Sequence, residues 1–429
     1  MTKRLLIHPV KEPICHKVRP PGSKSITNRA LVCAALAQGT STLRGALVSE
    51  DTEVMIKGLQ DFGIDVQQED AGQTLRVDGC DGNIPAGQAD IFVGNSGTTI
   101  RFLTALATLG NGAYRLDGIE RMRQRPISDL AEALRLLGAE VYCADDHNCP
   151  PVDVVANGLR GGEAKIRGNL SSQYLSGLLM AAPYADREVR LCVDGTLVSV
   201  PYVTMTMAVM DSFGVRAQAD SAYTQIVIPA KAGYQACEYE IEPDASAASY
   251  FWAAAAVTGG EVTVTGLSQQ SLQGDVGFVN CLREMGCDVR YAKNSITVVG
   301  RALRGIDVDM NAISDTVQTL AVVALFADGP TNIRQVAHIR HKETDRIAAV
   351  ATELRKLGAQ VTEHEEGLQI VPGHLVPAEI DTYNDHRMAM SFAVAGLVHE
   401  GVTIRDPGCT VKTYPHFFTD LDDLRRPQK

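Results

Sequence analysis

Seven basic residues and two acidic ones carry the chemistry of this sequence: Lys24, Arg29, Arg125, Lys342, Arg346, Arg387 and Lys412, with Asp315 and Glu343. Lys24 and Arg29 lie in Pro21–Arg29, PGSKSITNR, which runs straight into the apolar Ala30–Ala37. Gly22 lets the backbone turn, and Ser23 or Ser25 can accept from the open N–H groups of a helix start. Cations sit badly there, because a helix N-terminus already carries roughly half a positive charge. An anion bound among them removes the conflict, so the stretch reads as an anion socket. A capped helix with two solvated charges would look the same in isolation; recurrence of the pattern decides against it. Asp315 and Glu343 have no reason to bind an anionic ligand, which points to proton transfer. Taken singly, Glu343 and Arg346 would be an i,i+3 surface pair and Asp315 a helix cap. His386, between Asp385 and Arg387, reads equally well as a proton carrier and as a structural histidine.

The elements that must hold these residues repeat. An amphipathic helix closing on glycine and followed by an alternating strand recurs at Gly63, Gly138, Gly214, Gly286 and Gly358, at steps of 75, 76, 72 and 72 residues. Each glycine fits the left-handed position that ends a helix. Phe417–Leu424 begins a sixth copy. Between these helices stand six others with a polar start and an apolar body, from SKSITNRALVCAALA to NDHRMAMSFAVAGLVHEG. Helices without a polar face must be buried. Six units of one buried helix, one surface helix and several strands make two pseudo-threefold domains. Crossings at Arg19–Pro21 and Glu240–Pro243 give 21–241 as one domain, and 1–20 with 242–429 as the other. The buried helices begin at Lys24 and Ser25, at Asn95 and Gly97, at Ser171, Ser172 and Gln173, at Asp315, and at Asp385. Loops before the surface helices add Arg125, Ser199, Tyr202, Lys342, Glu343 and Lys412. Equivalent positions point to the same end of each domain, and two such ends facing each other would form one basic cleft. Its expected ligands are small and carry several phosphates or carboxylates.

Composition narrows the field. The 429 residues are 45% hydrophobic, 21% charged and 5% aromatic, with a net charge of −11. Nucleic acid is not expected as a partner, since it calls for a broad basic face. Ten cysteines without CxxC pairs suit a reducing compartment. The apolar part of MTKRLLIHPV is too short for a signal peptide, and Ala245–Val257, the nearest approach to a membrane span, is short and alanine-rich. A cytoplasmic protein with no membrane partner is expected. GNSGTT lacks the Gly-Lys-Ser/Thr of a nucleotide loop, and no metal cluster or dinucleotide fingerprint stands out, so no cofactor and no metal are expected.

PGSKSITNR, GNSGTTIR, RQRPI, SSQYLSGLL, KETDR, NDHRMAM and DPGCTVKTYP, in this order, closely resemble the motifs of the 5-enolpyruvylshikimate-3-phosphate synthases, over essentially the whole chain. The resemblance implies a two-domain inside-out α/β barrel, each domain built from three βαβαββ units. It implies transfer of the enolpyruvyl group of phosphoenolpyruvate to shikimate 3-phosphate, by addition and elimination, in aromatic amino-acid biosynthesis. It would assign the shikimate phosphate to Ser171, Ser172 and Ser199, and the carboxylate to Ser25 and Arg29, with Tyr202 and Gln173 nearby. Phosphoenolpyruvate would meet Lys24, Gly97, Arg125, Gln173, Arg346, Arg387 and Lys412. Asp315, helped by Lys342, resembles the base at the 5-hydroxyl, Glu343 the acid at the methylene carbon, and Lys24 a group near the departing phosphate. His338 stands where many relatives have Asn and would still approach the shikimate phosphate. Glyphosate is the implied inhibitor, and a monomer is expected because both domains complete their own cores.

Two other readings compete. UDP-N-acetylglucosamine enolpyruvyl transferases share the fold and chemistry, but carry a loop cysteine in the segment matching Asn111–Arg125, which has none here. A non-enzymatic polyanion-binding scaffold would not need Asp315 and Glu343 among its cations.

Overall fold

The computed structural model describes residues 3–144 and 148–425. The chain divides into two compact units, Gly22–Ile241 and Met1–Pro21 with Glu242–Lys429. The Gly22–Ile241 unit holds α1 (Lys24–Leu36), α2 (Glu50–Asp61), α3 (Gly97–Ala107), α4 (Ser128–Leu136), α5 (Ser172–Ala181) and α6 (Val200–Ser212). With no polar stripe to face water, α1, α3 and α5 go inside. Every residue of α3 is buried, as is α1 from Ile26 to Leu36. Amphipathic α2 and α4 bury one face each and leave the other to solvent.

Three separate four-stranded sheets surround these helices. In the middle repeat the order is strand (Gln88–Phe92), α3, strand (Asn111–Asp117), α4, and two strands (Glu140–Cys143, Val152–Asn157). The first strand pairs parallel with the second, and the remaining pairs are antiparallel. The first repeat takes its parallel edge from far along the chain: Glu238–Glu240 lies beside Gln38–Arg44. The unit is thereby fastened end to end.

The other unit repeats the plan with α7 (Ala245–Thr258), α8 (Phe278–Glu284), α9 (Val317–Val323), α10 (Arg346–Lys356), α11 (His386–Ala395) and α12 (Phe417–Asp423). Here the chain's beginning supplies the missing strands. Cys15–Val18 pairs parallel with Glu261–Thr265, and Arg4–Leu6 pairs antiparallel with Val402–Arg405. That last sheet has three strands among the described residues. Each unit has its own apolar core, around Leu103 and Leu178 in one and Trp252 and Phe392 in the other.

The glycines at 63, 138, 214, 286 and 358 all have positive φ, from 83° to 118°, as helix closure requires. One buried helix departs from expectation. SDTVQTLAVVALFADG is α-helical only over α9, with 3-10 turns at Asn311–Thr316 and Ala324–Phe326. Asp315 therefore lies in the tighter turn before the helix and does not cap it. No helix among the described residues is long and apolar enough to cross a membrane.

Candidate active site

In the Gly22–Ile241 unit, serines close the starts of all three buried helices. Ser23 accepts from Ile26 N (3.4 Å), Ser96 from Thr99 N (3.4 Å) and Ser171 from Gln173 N (3.3 Å). The side chains just beyond these caps fall into three groups. Lys24 Nζ lies 3.3 Å from Asp51 Oδ2 at the first turn of α2. Arg29 is buried under Tyr202 and Phe102, with its guanidinium 5.8 and 5.2 Å from their ring centres. It donates to Thr206 Oγ1 (2.7 Å), Ser25 O (2.8 Å), Ser176 Oγ (3.1 Å) and Tyr202 O (3.3 Å). Burial pushes its pKa down to about 10, against the pull of Tyr202. In the third group Arg101 Nη1 donates to Gln173 Oε1 (2.6 Å), whose amide in turn donates to Thr98 Oγ1 (3.1 Å). Arg125 Nη1 donates to Asn95 O (3.1 Å) beside them. The guanidinium ends of Arg101 and Arg125 both close on Gly97, where a Cβ would stand 2.8 and 2.3 Å from them. Ser172 is buried in the first turn of α5, and Ser199 stands before α6 in a left-handed conformation, φ 54°.

The other unit gathers charge more densely. Arg346, first residue of α10, is 1% exposed and meets three carboxylates. Its Nε lies 2.7 Å from Asp385 Oδ2, its Nη2 2.9 Å from Glu343 Oε2, and its Nη1 3.2 Å from Asp315 Oδ1. Asp315 also accepts from Lys342 Nζ (2.5 Å) and Arg387 Nη2 (2.8 Å). Glu343 Oε1 reaches Lys412 Nζ at 3.2 Å. Asp385 both binds Arg346 and caps α11, accepting from Arg387 N (2.9 Å). Burial works against the Arg346 charge, but Asp385, Glu343 and Asp315 outweigh it and raise its pKa. Lys342 goes the other way: burial lowers its pKa, opposed by Asp315. His338, buried in the 3-10 turn Ala337–His341, is pushed down to about 3 by burial and then by Lys342. Nearby Asp275 accepts from Ser246 and is raised to about 6 by burial and by Asp315. Among the described residues no His, Cys, Asp and Glu cluster could hold a metal.

The arrangement corrects one expectation. Cations waiting for an anion are not what the folded chain presents: five of the seven already contact carboxylates. Burial explains this, since a charge withdrawn from water costs several kcal/mol unless it is paired. Asp51 was missed as the partner of Lys24, because with Glu50 and Glu53 it reads as ordinary acid in a helix's first turn. Asp275 carries no sequence signal at all. Asp315 and Glu343 are neither a cap nor a solvated surface pair; both belong to one buried network that can bind anions and move protons.

The description "EPSP synthase (3-phosphoshikimate 1-carboxyvinyltransferase)" belongs to a family model that matches residues 10–421. The 3-phosphoshikimate 1-carboxyvinyltransferase of Nostoc punctiforme is 52% identical over 411 residues, 96% of each chain. The chloroplastic enzyme of Brassica napus is 47% identical over 440 residues, covering 98% of this chain and 85% of its own. Among solved structures, an EPSP synthase from Acinetobacter baumannii aligns at a TM-score of 0.82 with 25% identity, over 99% of this chain and 98% of that one.

Proposed function

The chain belongs to the EPSP synthase family, and we propose from that membership how its own residues divide the reaction. The enzyme transfers the enolpyruvyl group of phosphoenolpyruvate to the 5-hydroxyl of shikimate 3-phosphate and releases phosphate. The match over residues 10–421 carries this conclusion, and it does not favour the UDP-sugar transferase. Shikimate 3-phosphate takes Ser171, Ser172 and Ser199 for its phosphate, and His338 is assigned to the same phosphate. Ser25, Arg29 and Tyr202 take its carboxylate end, and Gln173 lies against its ring. Phosphoenolpyruvate takes Lys24, Gly97, Arg125, Gln173, Arg346, Arg387 and Lys412.

Proton movement falls to the carboxylates. Asp315 accepts the proton of the 5-hydroxyl, helped by Lys342, whose ammonium burial makes a readier proton donor than an exposed lysine's. Glu343 delivers a proton to the methylene carbon. In the free protein Arg346 and Lys412 stabilise its anion. Addition gives a tetrahedral ketal. A methyl proton then returns to the Glu343 anion, restoring the double bond as the C–O bond to phosphate breaks near Lys24, where a fixed cation stabilises the developing charge. The test is phosphate release from the two substrates together, with the UDP-sugar as control.

Gly97 marks the wall between substrate and inhibitor. Glyphosate is proposed to occupy the phosphoenolpyruvate site with a longer reach, so a methyl group at 97 excludes it more than the substrate. Gly97→Ala is expected to raise the inhibition constant far more than the Michaelis constant for phosphoenolpyruvate. The latter should also rise somewhat, since the methyl displaces the Arg125 guanidinium. Parallel changes in the two constants would remove Gly97 from that wall.

His338 sets an acid limb of stability. Its folded pKa of about 3 lies below the ordinary 6.5, so between those values the unfolded chain binds more protons and stability falls as pH falls. The penalty is roughly 2 kcal/mol by pH 5. Asp275, raised to about 6, opposes it, since its contribution is lost as pH rises towards that value. Both chains share Asp275, so it cancels between wild type and His338→Asn. The variant's melting temperature should fall less than wild type's between pH 7 and pH 5; equal slopes would show that His338 is not held neutral.

A further inference from the structure

Two left-handed residues precede the helix that carries Arg387. Tyr383 and Asn384 have φ of 54° and 53°, and Asp385 N donates to Thr382 O at 2.8 Å. Consecutive positive φ inside such a bond is the pattern of a type I′ turn, which asparagine adopts readily and a bulky aromatic only under strain. Strain of this kind persists only where the surroundings over-determine it. Here the surroundings are the far end of α10. Glu353, 0% exposed, accepts from Tyr383 Oη at 2.6 Å through one oxygen and from Asp381 N at 3.1 Å through the other. Lys356, one turn on, lies 2.8 Å from Glu353 and 2.7 Å from Asp381, and Arg405 holds Asp381 from the other side at 2.7 Å.

Seven residues separate Arg346 from Glu353, about two helical turns, so both project from the same side of α10. One end of the helix grips Asp385 through Arg346, and the other grips Tyr383 through Glu353. The turn between the two grips is the one that aims Asp385 and the start of α11. We infer that Glu353 and Tyr383 are positioning residues, holding the strained Thr382–Asp385 turn so that Arg346, Asp385 and Arg387 keep their mutual geometry. Neither belongs to the anion-binding set. Their effect reaches the substrate only through the two arginines, and the inference rests on the assignment of those arginines to phosphoenolpyruvate.

Tyr383→Phe tests this with the smallest change, since the residue is 40% exposed and only the hydroxyl is lost. A hydrogen bond to a charged group gone from the turn should raise the Michaelis constant for phosphoenolpyruvate roughly tenfold. The constant for shikimate 3-phosphate should stay near wild type, while the melting temperature falls modestly because the buried Glu353 carboxylate loses one donor. Tyr383→Gly supplies a second reading, because glycine adopts the left-handed conformation without a tether and should recover much of the lost affinity. An equal rise in both Michaelis constants would mean general loosening and overturn the inference. So would an unchanged constant for phosphoenolpyruvate in Tyr383→Phe while Arg387→Ala raises it. If Arg387→Ala also leaves it unchanged, the phosphoenolpyruvate assignment itself fails and the inference falls with it.

Discussion

Glu343→Gln is expected to lower turnover by roughly 10²–10⁴-fold, the range of a lost general acid, with little change in either Michaelis constant. The substitution keeps the side chain's length and its carbonyl oxygen, which can still accept from Arg346 or Lys412. What it removes is an exchangeable carboxyl proton. An affinity residue behaves otherwise: Ser171→Ala should chiefly raise the Michaelis constant for shikimate 3-phosphate. Steady-state kinetics on the two variants separates the roles, and Glu343→Gln turning over at the wild-type rate would remove Glu343 as the acid.

Arg346→Met should be the most destabilising single change in the charged network. The guanidinium is 1% exposed and serves Asp385, Glu343 and Asp315 at once. Methionine fills much of the volume but leaves three carboxylates short of a shared cation. Breaking a buried pair from one side costs about 3–5 kcal/mol, because the stranded charge must be desolvated uncompensated. Urea denaturation should show that loss, and phosphoenolpyruvate should bind far more weakly. Arg216, exposed and bonded to Asp211, is the control, and Arg216→Ala should leave the midpoint where it is. Equal midpoints for the two variants would contradict the reading of Arg346 as the network's hub.

Much of the fold was legible because repetition is a strong signal. A helix closed by glycine every seventy-odd residues gave the surface helices, and their positive φ angles follow from backbone sterics. Apolar bodies without a polar stripe marked the buried helices, apart from the early 3-10 geometry at Asp315. Strand borrowing was the least legible part. Nothing local in Cys15–Val18 or Glu238–Glu240 says that it completes a sheet begun more than 190 residues away, since pairing is a long-range property. The site was legible as a set of residue types and not as a set of partners. Asp51 against Lys24, Asp385 against Arg346 and Glu353 against Tyr383 are contacts between elements, and they appear only once helices pack.

Phosphate release under steady state tests the central claim most directly. The purified chain is mixed with phosphoenolpyruvate and shikimate 3-phosphate, and inorganic phosphate is followed by a coupled assay. Continuous turnover that needs both substrates, with none when UDP-N-acetylglucosamine replaces shikimate 3-phosphate, is the predicted result. Turnover with the UDP-sugar instead, or substrate binding with no phosphate released, would contradict it.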